Sequence, residues 1–165
     1  MVRKQTEKLS ANSIALAGEF LTLAQLALRG FDANMTLGHT KSVDILVSHP
    51  KTGKMSRLEV KTTNTKVQHS KLFGDNYQWM MGDKHESIVD KNLFYCFCLL
   101  NGEIVRYFIV PSKIVAKYVN DEHRLWLEQD SNHRSGKMRL FRIGSEKTSH
   151  GLKIEDWENR FDLLK

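Results

Sequence analysis

The chain has 165 residues, of which 27% are charged and 41% hydrophobic, and its formal net charge is +6. This length fits one domain, residues 1–165, and a chain with only two prolines is not expected to be disordered. No apolar run reaches the roughly 20 residues of a membrane helix, and the N-terminus lacks a signal-peptide pattern. We therefore expect a cytoplasmic protein with no membrane partner, and the basic balance is compatible with a polyanionic partner.

The first third of the chain predicts one helix and three strands. Residues 10–29 are rich in alanine and leucine, with a capping residue at Ser10 or Asn12 and a stop at Gly30, so they predict a largely buried helix. Strands are predicted at residues 31–37, 43–49 and 55–63, with a hairpin through "PKTGK" between the second and third.

The rest of the chain predicts a long polar connection, a hairpin and further helices. Residues 64–92 are polar and contain several glycines, which favours a connection with a short helix near "KHESIVD". Two strands are predicted at 92–100 and 103–110, joined by a hairpin turn at Asn101-Gly102. A helix is predicted at 111–120, with a second short helix at 123–129. A basic loop at 130–139 and a docked helical tail complete the predictions. Cys96 and Cys98 lie two apart in an apolar run, which is typical of core residues.

Three acidic residues lie where apolar residues are expected. Asp44 begins the apolar strand "VDILV", Glu59 lies inside the strand that pairs with it, and Glu19 lies in the middle of an apolar helix after the small residue Gly18. A buried carboxylate is costly unless it meets a cation, so these acids predict a partner, either Lys61 or a metal ion.

Simpler interpretations exist for each acid. Glu19 could share a narrow polar stripe with Thr22 and Gln25, which are spaced three apart on the same helix. Asp44 could form a structural pair with Arg57 or Lys61 across the hairpin. The order of the elements carries the argument: a helix with Glu, a glycine stop, a strand, an Asp-led strand, a hairpin, and a strand with Glu-x-Lys.

This arrangement, within "GEFLTLAQLALRGFDANMTLGHTKSVDILVSHPKTGKMSRLEVKTT", resembles the PD-(D/E)XK nuclease superfamily. It is similar above all to archaeal Holliday-junction resolvases and restriction-endonuclease-like proteins, and the downstream segments resemble a bacterial group of this superfamily with no assigned role. Val43 stands where the signature has proline. The resemblance implies an α/β (α+β) fold with a restriction-endonuclease-like αβββαβ core, a mixed central sheet flanked by helices.

The resemblance also implies a set of catalytic residues, listed as Glu19, Asp44, Glu59 and Lys61. Asp44, Glu59 and the carbonyl of Val60 would bind Mg²⁺, with Mn²⁺ as a substitute, because this ion prefers hard oxygen ligands. Glu19 would be an outer partner or a ligand of a second ion, and Lys61 would orient the attacking water or hold the phosphate.

The expected function is a Mg²⁺-dependent endonuclease acting on DNA, with structured or branched DNA among its substrates. The predicted substrate contacts are His39, Thr40, Lys41, Arg57 and Thr63. The alternatives are a catalytically inactive module of the same fold that binds nucleic acid or a protein, and a small α/β protein whose Glu-x-Lys strand is a solvated edge. Cleavage of four-way junctions would require a symmetric homodimer, because two cuts related by a two-fold axis need two sites.

Overall fold

Two β-sheets and three α-helices make up the parts of the chain that this computed structural model describes, which are residues 9–36, 43–144 and 152–165. The helices are α1 (Ala11–Leu28), α2 (Ser112–Gln129) and α3 (Ile154–Trp157), with 3-10 helices at Asp83–Glu86 and Phe161–Leu164. The strands are β1 (Asp32–Met35), β2 (Ile45–Ser48), β3 (Met55–Thr63), β4 (Gln68–Ser70), β5 (Gly74–Gly82), β6 (Leu93–Asn101), β7 (Ile104–Pro111) and β8 (Met138–Gly144).

The central sheet has five strands in the order β1-β2-β3-β6-β7. The pairing of β3 with β6 is parallel and the other pairings are antiparallel, so the sheet is mixed. The predicted α+β class, with a mixed central sheet flanked by helices, is confirmed. The connection between the parallel strands β3 and β6 runs through β4, β5 and the first 3-10 helix.

Strand β6 separates two hydrophobic cores because successive side chains of a strand point to opposite faces. Cys96 and Cys98 lie in the core beneath α1, together with Leu58 and Val60 of β3. Phe97 and its alternate neighbours lie in the other core, against α2 and the second sheet. Both cysteines are buried and free, which confirms that they are core residues.

Helix α1 packs on the central sheet through one narrow side only. Ser10 caps it by accepting a hydrogen bond from the Ser13 amide, as one of the predicted caps. Its buried residues are Gly18, Thr22 and Leu26, so the prediction of a largely buried helix is wrong. By length and composition alone α1 could also cross a bilayer, a property that core helices and signal sequences share.

The predicted loop between residues 64 and 92 is also wrong, since it contains β4 and β5. These strands form a second sheet with β8, in the order β4-β5-β8, and β8 lies partly in the predicted basic loop. The helix predicted in two pieces is one helix, α2, and an ion pair between Lys117 and Asp121 spans the expected break. Both predicted hairpins are confirmed, with Gly53 and Gly102 at positive φ.

Candidate functional site

Asp44 lies where β2 separates from β3. The Asp44 amide donates to the carbonyl of Leu58. The amide of Val60, two residues further along β3, donates to the Asp44 side chain at 2.7 Å. The carbonyl of Val43 is taken by the hydroxyl of Thr36 at 2.7 Å. The Asp44 carboxylate therefore replaces a sheet hydrogen bond at the opening between the two strands, and this holds it beside Val60.

Glu59 and Lys61 project from the face of β3 opposite to α1. Glu59 is 3% exposed, and its Oε1 lies 2.6 Å from Lys61 Nζ. Its other oxygen, Oε2, is buried and makes no hydrogen bond of standard geometry to any described residue. Because an unsatisfied buried carboxylate oxygen is costly, this atom marks a place suited to a cation or a proton donor.

Two residues outside the predicted set lie behind Glu59. His85, in the 3-10 helix after β5, is 2% exposed and places Nε2 3.7 Å from Glu59 Oε1. Its Nδ1 pairs with the hydroxyl of Tyr95 at 2.8 Å, and Tyr95 is the parallel neighbour of Glu59 on β6. Burial lowers the pKa of His85 to about 4, so the ring is neutral at neutral pH. The sequence contained no sign of this contact, because it depends on β5 returning alongside the central sheet.

Glu19 lies on α1 and approaches Asp44 and Lys61 from the other side of the central sheet. A Cβ at Gly18 would overlap the side chain of Thr62, so only glycine allows the helix this close to β3. Burial raises the pKa of Glu19, as does the negative charge of Asp44, while Lys61 lowers it. The structure therefore brings Glu19 within electrostatic reach of Asp44 and Lys61.

The pKa of Asp44 depends on several charges around it. Burial raises its pKa, and the hydrogen bond from the Val60 amide opposes that rise. Glu59 raises this pKa further, whereas Lys61 and Lys84 lower it. Lys84 was not among the predicted residues, and it lies beside His85 in the 3-10 helix. The charges of Glu59, Lys61 and Lys84 therefore all act on Asp44 at this end of β3.

The predicted substrate contacts divide into two groups. Arg57 is half-exposed and forms an ion pair with Asp90. The hydroxyl of Thr63 is 3.0 Å from that of Thr65 and accepts a hydrogen bond from its amide, so it is used within a turn. The other three, His39, Thr40 and Lys41, lie outside the described residues.

The described residues contain no set of three or more His, Cys, Asp or Glu side chains placed to hold one metal ion. The oxygen atoms at this place include the Asp44 carboxylate, which accepts from the Val60 amide, and Oε2 of Glu59. Carboxylate oxygens are donors of the type that Mg²⁺ prefers.

The described residues form a mixed α+β fold with a group of interacting charges at one end of β3. A solved structure with the same fold is "The structure of a bacterial homing endonuclease: I-Ssp6803I", matched with a TM-score of 0.54 and 10% sequence identity. The match covers 94% of this chain and 93% of that one. At this identity the likeness shows the fold alone. A scan of protein-family models and a search of curated proteins find no match.

Proposed function

We propose that this protein is a metal-dependent endonuclease of the PD-(D/E)XK type that hydrolyses phosphodiester bonds of DNA. The observation that carries the proposal is Glu59, a buried carboxylate that pairs with Lys61 through one oxygen and whose other oxygen has no hydrogen-bond partner among residues 9–36, 43–144 and 152–165. Asp44 lies across the opening from it, held by the Val60 amide. The shared fold with a bacterial homing endonuclease supports the same class of activity.

Asp44, Glu59 and the carbonyl of Val60 would hold Mg²⁺, and Mn²⁺ would substitute for it. When bound, the ion supplies charge stabilisation at the phosphate and lowers the pKa of a coordinated water. The protein positions these oxygens through the separation of β2 from β3, which leaves the Val60 amide to fix Asp44.

Lys61 would orient the attacking water or hold a phosphate oxygen as a point charge. Its side chain is 28% exposed, so its ammonium can meet a substrate, while its bond to Glu59 Oε1 limits where it can move. Glu19 would act from the outer side of Asp44, where its charge adjusts the affinity of the site for a cation.

The substrate is DNA, with branched or otherwise structured DNA included in the tests below. The net charge of +6 favours a polyanion, and Lys84 places a second cation beside Asp44. Among the predicted contacts, Arg57 lies two residues before Glu59 on β3, and its exposed part is available to a phosphate. His39, Thr40, Lys41 and Thr63 complete the predicted set.

A catalytically inactive module that binds nucleic acid or a protein is the second candidate. The observation in its favour is that the described residues offer no ligand set of three acidic, His or Cys side chains. In that case the buried pair of Glu59 and Lys61 would be structural, and the protein would bind DNA without cutting it.

The cleavage test compares wild type with Asp44→Ala and Lys61→Ala. Substrates are supercoiled plasmid, single-stranded DNA, flaps, four-way junctions and RNA, each with Mg²⁺ or Mn²⁺. We expect wild type to cut DNA and each variant to lose about 10²–10³-fold in rate, since each removes a charge from the reacting centre. Arg124→Ala, on the exposed side of α2, is the matched control and should cut like wild type.

Two outcomes would contradict the proposal. Cleavage that persists in both Asp44→Ala and Lys61→Ala would place the activity elsewhere or in a contaminant. Binding of DNA with no cleavage of any substrate under either metal would favour the inactive module.

Metal binding can be measured without any activity, by thermal unfolding with Mg²⁺, Mn²⁺ or Ca²⁺. An ion that binds only the folded state at 100 times its dissociation constant stabilises it by about 2.7 kcal/mol. We expect a metal-dependent rise in the melting temperature of wild type and none in a Asp44→Asn, Glu59→Gln double variant. An equal rise in both proteins would show that the ions bind at another place.

A further inference from the structure

We propose that the outward face of α1 is a self-association surface, on which a second copy of the chain packs its own α1 in antiparallel orientation about a two-fold axis. This inference does not depend on the nuclease activity. It is drawn from the side of α1 that turns away from the central sheet.

The outward face is apolar and carries no charge. Leu16 is 50% exposed, Phe20 54% and Leu28 79%. The exposed residues of α1 are Ala11, Asn12, Ser13, Ala15, Leu16, Phe20, Ala24, Ala27 and Leu28. In a chain with 27% charged residues, nine exposed positions without one charge are unusual for a helix that faces water.

The inner side of α1 is already committed. Gly18 is in contact with Thr62 of β3, and the hydroxyl of Thr22 lies 3.4 Å from the sulfur of Cys96 on β6. Leu26 is fully buried in the core beneath the helix. The helix cannot rotate to hide its outer leucines without losing these contacts, so the outer face needs another cover.

The pattern of the outer face points to a copy of itself. Leu16, Phe20, Ala24 and Leu28 are spaced four apart and form one ridge. In an antiparallel pair centred near Thr22, Phe20 of each copy lies opposite Ala24 of the other, and Leu16 lies opposite Leu28. A bulky residue thus meets a small one at the centre, which is what a self-complementary two-fold contact requires.

The absence of charge argues against other occupants. A nucleic acid would need basic side chains on this face, and none of its exposed residues is basic. The first residues, "MVRKQTEK", have four charged side chains and one valine after the initial Met, so they are poorly suited to cover it. A symmetric pair would give one assembly two copies of the acidic site, each next to the shared helix through Glu19.

The test is the oligomeric state of the full chain at micromolar concentration, by analytical ultracentrifugation, for wild type, Phe20→Lys and the matched control Ile104→Lys. Ile104 is an exposed apolar residue, 66% accessible, at the start of β7 and outside α1. We expect dimers for wild type and Ile104→Lys. Phe20→Lys should weaken dimerisation at least tenfold, because a lysine would enter an apolar interface.

Cross-linking tests the orientation. A mixture of Phe20→Cys and Ala24→Cys proteins should form a mixed disulfide dimer faster than either protein alone, and the native cysteines do not compete because they are buried. A monomeric wild type, or a dimer unaffected by Phe20→Lys, would overturn the proposal. A monomer that binds neutral phosphatidylcholine vesicles through Phe20 would overturn it in favour of a lipid surface.

Discussion

Two buried carboxylates, each paired with a cation, lie in different parts of this protein and have different surroundings. Between α2 and β8, Glu122 is 5% exposed and accepts from Nε and Nη2 of Arg142, both at 3.0 Å. Arg142 also approaches Asn76 at 3.4 Å and stacks over Phe73 at 4.5 Å. Within the described part of the chain, neither Glu122 nor Arg142 has a buried polar side-chain atom without a hydrogen-bond partner.

The pair on β3 is less complete. Lys61 contacts one oxygen of Glu59 and keeps part of its side chain in solvent, and the other Glu59 oxygen has no hydrogen-bond partner in the part of the chain that the structure describes. Burial raises the pKa of Glu122 against the effect of Arg142, and it raises the pKa of Asp44 beside Glu59. Burial of a charge is therefore shared by both pairs, and a buried oxygen with unused bonding capacity next to an accessible cation is what distinguishes Glu59 from Glu122.

The largest effect on stability is expected at the pair of Glu122 and Arg142. Glu122→Gln leaves the Arg142 cation buried without its counterion, so the free energy of unfolding should fall by about 3 kcal/mol. Urea unfolding measures it. A Glu122→Met, Arg142→Met double variant removes both charges and should recover most of that loss. If the double variant is as unstable as the single one, the defect comes from packing and not from an unpaired charge.

At the pair of Glu59 and Lys61, a substitution should change DNA cleavage more than it changes the free energy of unfolding. Glu59→Gln should reduce DNA cleavage by about 10²–10³-fold, because the group that would bind the cation is lost. Its free energy of unfolding should stay within about 1 kcal/mol of wild type, since Lys61 can turn to solvent. Cleavage and urea unfolding are measured on the same preparation. A large loss of stability, together with normal cleavage per folded molecule, would show that Glu59 has the same structural role as Glu122.

The smallest effect concerns His85 and the dependence of stability on pH. Its pKa is about 4 in the folded protein, below the ordinary 6.5, so the unfolded chain takes up the proton first. The stabilisation is present above pH 6.5 and is lost as the pH falls toward 4, by about 1–3 kcal/mol. Subtracting the urea-unfolding profile of His85→Gln from that of wild type isolates it. A flat difference would mean that the ring is accessible to protons when folded.

A comparison of β3 with β8 explains why about half of the fold could be predicted from the sequence. Strand β3 was predicted with its observed limits, because Leu58 and Val60 alternate with polar residues and a hairpin precedes them. Strand β8 was missed because its arginines read as a solvated loop. Arg139 and Arg142 are buried in the structure, paired with Glu86 and Glu122, and these partners lie 53 and 20 residues away along the chain.

The order of the first helix and three strands, and the unusual positions of the acids Asp44 and Glu59, could be read from the sequence, because local spacing and the cost of burying charge are visible in it. The position of His85 behind Glu59 and the exposure of the outer leucines of α1 became known only from the tertiary structure. Such facts depend on contacts between distant segments, which no local pattern encodes.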